Sequence, residues 1–599
     1  MKILFTKSKL VLALLLSGAT GVYSQFAFLY SSTGQEYGKA NCVDKDNNYL
    51  EAALFSNTIN IEPSSTKTLT SNGLIDIALV KYDQYGKMIW AKNYGGATTI
   101  DAPHGVDTDS KGNVYITGYF GNPNPQANQT ANFNPDGSAV LTSKGSYDAY
   151  LAKYNADGDY QWAFGLSNRN GNTEERAWDI CVDNMDNVYV GGAFKKSMDF
   201  NPLGTPNVKT LASQDVGLFL AKYNTDGINQ WALLIDARDT SVFFEAYTAI
   251  DVDKNGDIYL AGNFRGSNVN FDPSGSVLLS SSGQTDMFLA KYKSDGSFVF
   301  ANRIGGILTD IVSPGALKVD ANNDIYFTGR ISGTVNFNTS EGTNNVSGAS
   351  LFLAKYNSDG NLIRVFGMPS NAGDGGHRVG FDSQNNVLVA GWMNGTVNFN
   401  PVGNSNYTAV SPTADFFLAK YTSSGNFLWA LNVGAANSNE NNICAGLAVD
   451  KIDNIYLTGQ LFGTNADFDP SPNSQFILSS VGQNDCFIVK YDANGNLWKN
   501  PTDIISEKLP TDFILYQNYP NPFNPSTTIN YKIPDFGHVS LIVYDILGRK
   551  VATLVEEYKE PGYYNVEFKV NGDGYTSGVY FYQLKSGSFI ETKKMILIK

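Results

Sequence analysis

The residues best suited to chemistry in this sequence are acidic, and several come in alternating sets. Asp251, Asp253, Asn255 and Asp257 occupy every second position of Asp-Val-Asp-Lys-Asn-Gly-Asp. That oxygen-rich spacing suits calcium, which takes six to eight oxygen ligands. The same residues suit a hairpin turn, for which Asn-Gly and Asp-Gly supply the backbone freedom. A sister segment, Asp183-Asn184-Met185-Asp186-Asn187, lacks the full ligand set, so the turn is the simpler reading and calcium the alternative. Asp467 and Asp469 flank Phe468, and a period of two puts both carboxylates on one face of a strand and the ring on the other. Of three histidines, His104 and His377 share a register, each five residues before an Asp that recurs along the chain, whereas His538 lies near the C-terminus. No Gly-x-Ser-x-Gly elbow, His-Glu-x-x-His pair or phosphate-binding loop is present. A glycoside-cleaving carboxylate pair is a further alternative, because such a pair leaves no fixed spacing when its members come from different repeats.

The elements that must position these residues are themselves repeated. Leu-Ala-Lys-Tyr or a close variant ends at Tyr82, Tyr154, Tyr223, Tyr292, Tyr356, Tyr421 and Tyr491, 64 to 72 residues apart. In phase with it runs an apolar-Asp step, a turn and apolar-Tyr-apolar, with the Asp at Asp44, Asp109, Asp183, Asp253, Asp320, Asp382 and Asp450. A third landmark, Asn-Phe-Asn-Pro or Asp-Phe-Asp-Pro, centres on Phe133, Phe200, Phe271, Phe337, Phe399 and Phe468, with a degenerate first copy at Ile61. A fixed period of this size signals a propeller or a solenoid.

Each repeat divides into four strands. Strand A runs up to the landmark Asp, and a short turn leads to strand B, as at Ile258 to Gly262. Strand C is Phe-Leu-Ala-Lys-Tyr, and a second turn leads to strand D around Trp90, Trp162, Trp231, Phe300 and Trp429. A recurring aromatic is a packing device before it is a binding device. Phe26 to Tyr30 resembles a strand D standing ahead of the first repeat, while the last repeat keeps only the stub Leu497-Trp498 after its strand C. The N-terminal strand is therefore expected to complete the seventh blade. The expected fold class is all-β: a seven-bladed β-propeller of four-stranded blades over 25–500, followed by a small Ig-like β-sandwich. The repeats resemble the bacterial propeller repeat called SBBP, in the hairpin from Asp109 to Gly118, the Asn-Phe-Asp-Pro element and Phe-Leu-Ala-Lys-Tyr. That resemblance implies a propeller and no single activity.

The composition shifts at Asn500-Pro501, and 501–512 reads as a linker. Beyond it, over 513–599, alternating strands at Thr528 to Ile533, Val539 to Tyr544, Tyr564 to Val570, Gly578 to Leu584 and Lys593 to Ile598 suit a small sandwich. This segment resembles the type A C-terminal sorting domain of the type IX secretion system. The matching residues are Asn521-Pro522-Phe523-Asn524-Pro525, Asp545 with Gly548 and Arg549, Gly578 with Tyr580, and Lys593-Lys594. The resemblance implies type IX machinery at the outer membrane as a partner, with removal of the domain in the linker and then release or surface attachment.

Residues 1–24 read as a signal peptide: Lys2, Lys7 and Lys9 precede the apolar run Leu10 to Leu16, and cleavage is expected after Ser24. No later stretch is apolar enough for a transmembrane segment. The net charge of −14 argues against nucleic acid as a partner. The turns between strands A and B and between C and D are short, whereas the B–C and D–A connections are long and leave on the same face of an up-and-down blade. Binding residues gather on loops held by a rigid scaffold, so that face is the expected ligand surface. Its candidates are Arg176 and Trp178, then Arg238, Phe243 and Phe244, then His377 and Arg378. Three functions stay open: a secreted or cell-surface module binding polysaccharide or protein, a polysaccharide-degrading enzyme, and a passive surface component. Calcium is the one cofactor the sequence suggests.

Overall fold

The computed structural model describes residues 25–62, 67–124, 129–167, 174–203, 210–236, 246–338, 344–370, 373–403, 407–435, 442–499, 512–559, 562–570, 575–587 and 589–598. The expected signal peptide and all but the last residue of the expected linker lie outside them. The described residues form strands and no helix, so the fold is all-β, and among them no helix is long and apolar enough to cross a membrane. Phe26–Trp498 is one compact unit, and the residues from Lys499 onward belong to another.

Within Phe26–Trp498 there are seven four-stranded antiparallel sheets. Repeat 1 is typical, with Glu36–Val43, Tyr49–Phe55, Asp76–Tyr82 and Met88–Tyr94 as strands A to D in spatial order. Strands B and C are buried on both faces, which is why they read as nearly continuous apolar runs rather than alternating ones. The sheet of repeat 7 takes its fourth strand from the other end of the unit: Ala27–Tyr30 pairs with Asp485–Tyr491, Ala27 opposite Val489 and Tyr30 opposite Cys486. Strand A of each repeat packs against strand A of the next, and Ile443–Val449 of repeat 7 packs against Glu36–Val43 of repeat 1.

The repeated landmarks are fasteners. The turn Asp109 accepts the backbone N–H of Lys111 and of Asn113, both at 2.9 Å, on one carboxylate oxygen. Lys153 and Trp162, nine residues apart, both donate to the Thr225 carbonyl in the next repeat, at 2.9 and 3.2 Å. The equivalent Lys490 of repeat 7 donates to the Gln84 carbonyl of repeat 1 at 2.8 Å. Tyr154 ends strand C by donating to the Phe133 carbonyl at 3.1 Å, and the Phe133 ring is fully buried. Three landmarks recur in phase because each ties one part of a repeat to another.

One connection differs from its sequence reading. The B–C segment is not an open loop but carries a second, two-stranded hairpin, such as Thr130–Asn132 with Val140–Thr142. In repeats 3 and 6 the hairpin is continuous with strands B and C, as Val188–Asp199 and Thr210–Tyr223. Alternation within these short strands turns Phe133 and its equivalents inward and their polar neighbours toward the turn. All four cysteines are free.

The C-terminal unit has two sheets. Ile514–Leu515, Ser526–Ile533 and Gly562–Lys569 form one; Lys550–Lys559, Gly537–Tyr544, Gly578–Ser586 and Phe589–Leu597 form the other. Phe523, Leu541, Tyr582 and Leu597 belong to their common core.

Candidate functional site

In repeats 1, 2, 3, 6 and 7 the ladder between strands A and B skips one strand A residue: Lys39, His104, Trp178, His377 and Ala445. Each stands five residues before its landmark Asp. A bulge leaves its extra residue unpaired and re-aims the side chain. Four of these residues, Lys39, His104, His377 and Ala445, border one cavity of about 390 Å³, together with Tyr37, Tyr247, Arg330, Arg378 and Trp392. Trp178, the fifth, sits edge-on to both His104 and Tyr247, with ring centres at 4.7 and 4.9 Å, and is only 3% exposed. It holds two of the wall rings in place rather than offering a surface. This upper cavity is lined from the D–A ends of the strands, the side expected to carry the ligand surface.

A lower cavity of about 280 Å³ is lined by strand A residues or their approach segments from all seven repeats. His104 and Arg378 border both cavities. The Arg378 guanidinium donates to the carbonyl of its neighbour His377 and to the Lys39 carbonyl of repeat 1, both at 3.1 Å. Gly315 of repeat 5 presses against the same guanidinium, so close that a methyl group on it would lie 2.7 Å from Arg378 Cζ. Arg378 thus reaches from repeat 6 to repeats 1 and 5, between the two cavities. At the matching position repeats 1, 2, 4, 5 and 7 carry only Ala or Gly (Ala40, Gly105, Ala249, Ala316 and Gly446), whereas repeat 3 carries Asp179.

The upper cavity is basic. Among the described residues its lining contains Lys39, Arg330, Arg378 and two histidines but no carboxylate. Burial and the Arg378 charge push Lys39 down to about 8. Burial, helped by Arg378 and Lys39, pushes His377 down to about 4, and His104 is lowered by burial and by Lys39, Arg176 and Arg378. Both histidines are therefore neutral near pH 7. Among the described residues neither Lys39 nor Arg378 forms an ion pair: Arg378 has its two carbonyls, and the Lys39 ammonium lies 5.1 Å from the Tyr37 ring centre.

The carboxylates nearest these cavities are committed to other repeats. Asp107 accepts from Val182 N at 2.8 Å, Asp179 from Ile250 N at 2.9 Å and Asp251 from Val319 N at 2.8 Å, each latching one strand A to the next. Burial raises Asp107 to about 6, opposed in part by Lys318, and raises Asp179 as well, opposed in part by its Ile250 bond, Arg378 and Lys318.

The structure separates the residues of the acidic loop. Asp251 faces Lys318 at 3.2 Å, while Asp253 closes its turn through Asn255 N and Asp257 N at 2.9 and 3.0 Å. Lys291 lies 3.6 Å from Asp253 and 3.2 Å from Asp257. Among the described residues no group of three or more His, Cys, Asp or Glu side chains is placed to hold a metal ion.

Of the loop-face candidates, His377 and Arg378 line the upper cavity, Trp178 backs its wall, and Arg176 pairs with Glu174 at 2.5 Å while lying 4.7 Å from the Tyr119 ring centre. Arg238, Phe243 and Phe244 lie outside the described residues. Lys39, Tyr37, Tyr247, Arg330 and Trp392 complete the cavity. The register shared by His104 and His377 was the available signal for Lys39, but the bulge that turns these residues inward is a backbone feature with no residue type of its own.

In the C-terminal unit the motif residues latch the chain ends together. Asn521 accepts from Ile596 N at 2.8 Å, Phe523 N donates to the Ile596 carbonyl at 2.9 Å, and the Pro525 carbonyl accepts from Val570 N at 2.9 Å. Pro522 and Asn524 lie within that latch. Asp545 closes a turn through Leu547 N and Arg549 N, both at 2.9 Å, with Gly548 between them. Gly578 starts a strand, Tyr580 is buried, and Lys593 pairs with Glu591 at 3.1 Å beside Lys594.

Two family models match parts of the chain. The secretion system C-terminal sorting domain matches residues 517–599, and the SBBP β-propeller repeat matches residues 89–119. An uncharacterized WD repeat-containing protein of Acanthamoeba polyphaga mimivirus is 24% identical over 560 residues, covering 80% of this chain and 39% of its own length. Regulatory protein FlaEY of Caulobacter vibrioides is 27% identical over 158 residues, covering 26% of this chain and 15% of its own length. The chain thus spans well under half the length of these relatives. A solved structure of a protein of unknown function from Dyadobacter fermentans is similar over 78% of this chain and 98% of its own, with 10% identity and a TM-score of 0.33. The chain thus carries an SBBP β-propeller repeat and a type IX C-terminal sorting domain, the domain that marks proteins exported through the type IX system to the cell surface or the outside.

Proposed function

We propose that this protein is a seven-bladed β-propeller that binds an extracellular glycan in its upper cavity, delivered there by an Ig-like sorting domain. The observation that carries the reading is the set of bulges: four strand A residues that differ in type between repeats are turned into one cavity, beside the partly exposed rings of Tyr37 and Trp392. Sugar rings stack on such aromatic faces, and pockets of this kind orient a ligand with a few polar groups. Seven sheets whose strands A neighbour one another in turn, with the first repeat beside the last, support the blade count. In this reading residues 1–24 are the signal peptide, 25–500 the propeller, 501–512 the linker and 513–599 the sorting domain. Passage across the outer membrane then uses the type IX machinery.

The binding reading stands ahead of the enzymatic one because Asp107, Asp179 and Asp251 are each held by a backbone N–H of the next repeat. The test is a glycan array probed with the full chain and with Trp392→Ala. Saturable binding to a glycan class, lost in Trp392→Ala, supports the proposal. Binding that survives the change moves the site elsewhere, and the absence of any glycan binding favours a structural role or a protein partner.

A further inference from the structure

We infer that the upper cavity selects an acidic sugar, seating a uronate carboxylate or a sulfate ester between Lys39 and Arg378. This inference rests on the glycan-binding reading and adds the ligand's charge. Two cations enter the same cavity from repeats 1 and 6, and the Lys39 carbonyl itself holds the Arg378 guanidinium. Neither has a carboxylate within ion-pair distance among the described residues, and while Arg378 feels the charge of the buried Asp179, no acid offsets Lys39, although the chain carries 57 acidic residues against 43 Lys and Arg. Elsewhere in the same unit, buried Lys side chains find acceptors: Lys81 lies 2.8 Å from Asp44 and Lys420 2.9 Å from Asp382, while Lys222 and Lys490 donate to carbonyls at 3.0 and 2.8 Å. Two cations packed together in a partly dry site, with Asp179 offsetting Arg378 and no acid beside Lys39, are unfavourable without a further opposite charge. An oxyanion supplies that charge and acceptors for the Lys39 ammonium, which has none.

The neighbouring groups fit the same ligand. His104 and His377 are held neutral; His104 offers one N–H donor and one acceptor to hydroxyl groups, and His377, hydrogen-bonded to the Cys444 backbone, offers its remaining nitrogen. Arg330, on strand B of repeat 5, is exposed at the edge of the cavity and feels the charge of the buried Asp374. It therefore counts less toward the local excess than Lys39 and Arg378. Tyr37, Tyr247 and Trp392 provide ring faces for the sugar body. Because the whole protein is negative, attraction for an acidic sugar is local to this cavity and does not come from the overall field.

The test is calorimetric titration of the full chain with three probes: a galacturonic acid trisaccharide, the neutral galactose trisaccharide, and a sulfated galactose trisaccharide. One of the acidic probes is expected to bind at least about tenfold more tightly than the neutral one, the size of one charged hydrogen bond. Which acidic probe wins separates carboxylate from sulfate. Lys39→Gln keeps the side-chain length and is expected to bring the acidic and neutral probes to the same affinity. Repeating the titration at about pH 8 in two buffers of different ionisation enthalpy measures proton uptake. The arginines stay charged and the histidines neutral there, so Lys39 is the group that gains the proton, about half of one per anion bound. Uptake is expected to vanish in Lys39→Gln. Equal affinity for neutral and acidic probes, or a preference that survives Lys39→Gln, overturns the anion inference and leaves glycan binding standing. Failure of all three probes to bind overturns both.

Discussion

Replacing Gly315 with Ala tests whether Arg378 is clamped between the two cavities. Gly315 has a φ of +71°, and a methyl group there would lie 2.7 Å from both Cζ and Nη1 of Arg378. The left-handed backbone alone costs an alanine about 1–2 kcal/mol. Carbon atoms rest about 3.5–4.0 Å apart, so the guanidinium must retreat by about 1 Å. That movement breaks one of its two 3.1 Å bonds, to the His377 or the Lys39 carbonyl. Losing a hydrogen bond from a charged donor costs about 1.5–3 kcal/mol, which brings the whole loss to about 2.5–5 kcal/mol. Gly348 is the matched control, with a φ of +68° and no atom within 4 Å of an added methyl; Gly348→Ala should lose only the backbone term of about 1–2 kcal/mol. All seven tryptophans lie between Trp90 and Trp498, so tryptophan fluorescence during urea unfolding reports on the propeller repeats alone. Gly315→Ala should exceed Gly348→Ala by about 1.5–3 kcal/mol, and the excess should vanish when Arg378→Ala is combined with it. Equal losses in the two glycine variants, or an excess that persists without Arg378, would refute the clamp.

Burial raises Asp76 and Glu36 to about 7, and Asp310 and Asp485 to about 6. Unfolded carboxyls titrate near about 4, so the folded protein holds extra protons and these groups' contribution to stability is lost as pH rises from about 4 to about 7. His377, lowered to about 4, acts oppositely by losing stability as pH falls below about 6.5. Asp76→Asn isolates one carboxyl: it should stabilise the propeller by about 1–3 kcal/mol at about pH 8 and not at about pH 4.5, and the lack of such a crossover in urea unfolding would contradict the burial argument. Lys490→Met removes a bond to the first repeat, and Lys153→Met removes its internal counterpart. Both should cost about 1–3 kcal/mol; a silent Lys490→Met beside a costly Lys153→Met would show that the first and last repeats do not meet. Chelation with EDTA should leave the thermal midpoint unchanged, because Lys291 already faces Asp253 and Asp257; a fall reversed by added calcium would restore the calcium reading.

The residues that build the sheets could be read from the sequence because each repeat makes the same demand of them. Lys153, Trp162 and Tyr154 recur because every repeat must fasten its C–D side to the next repeat and pin its outer hairpin. The landmark Asp109 recurs because every A–B turn needs an acceptor for two backbone N–H groups. Periodicity is blind to the cavity for the converse reason. Its residues are where the repeats differ: Lys39, His104, Trp178, His377 and Ala445 share a position, and only the two histidines share a side chain. A sequence shows their common register but not the bulge that turns them inward. Arg378 was read as a loop residue, whereas it stands on strand A at a position that is small in five other repeats. Its length is what lets it cross to Lys39. The alternating acids at Asp251 to Asp257 look like a ligand set in one dimension, but the turn after Val252 sends them to different partners, Asp251 to repeat 5 and Asp253 to its own hairpin.

A crystal structure of the full chain with the glycan that binds it most tightly would test the central claim most directly. The sugar is expected in the upper cavity, against Trp392 or Tyr37 and within hydrogen-bond reach of Lys39 or Arg378. A glycan seated on the outer hairpins or on the C-terminal unit, with the upper cavity empty, would contradict the account.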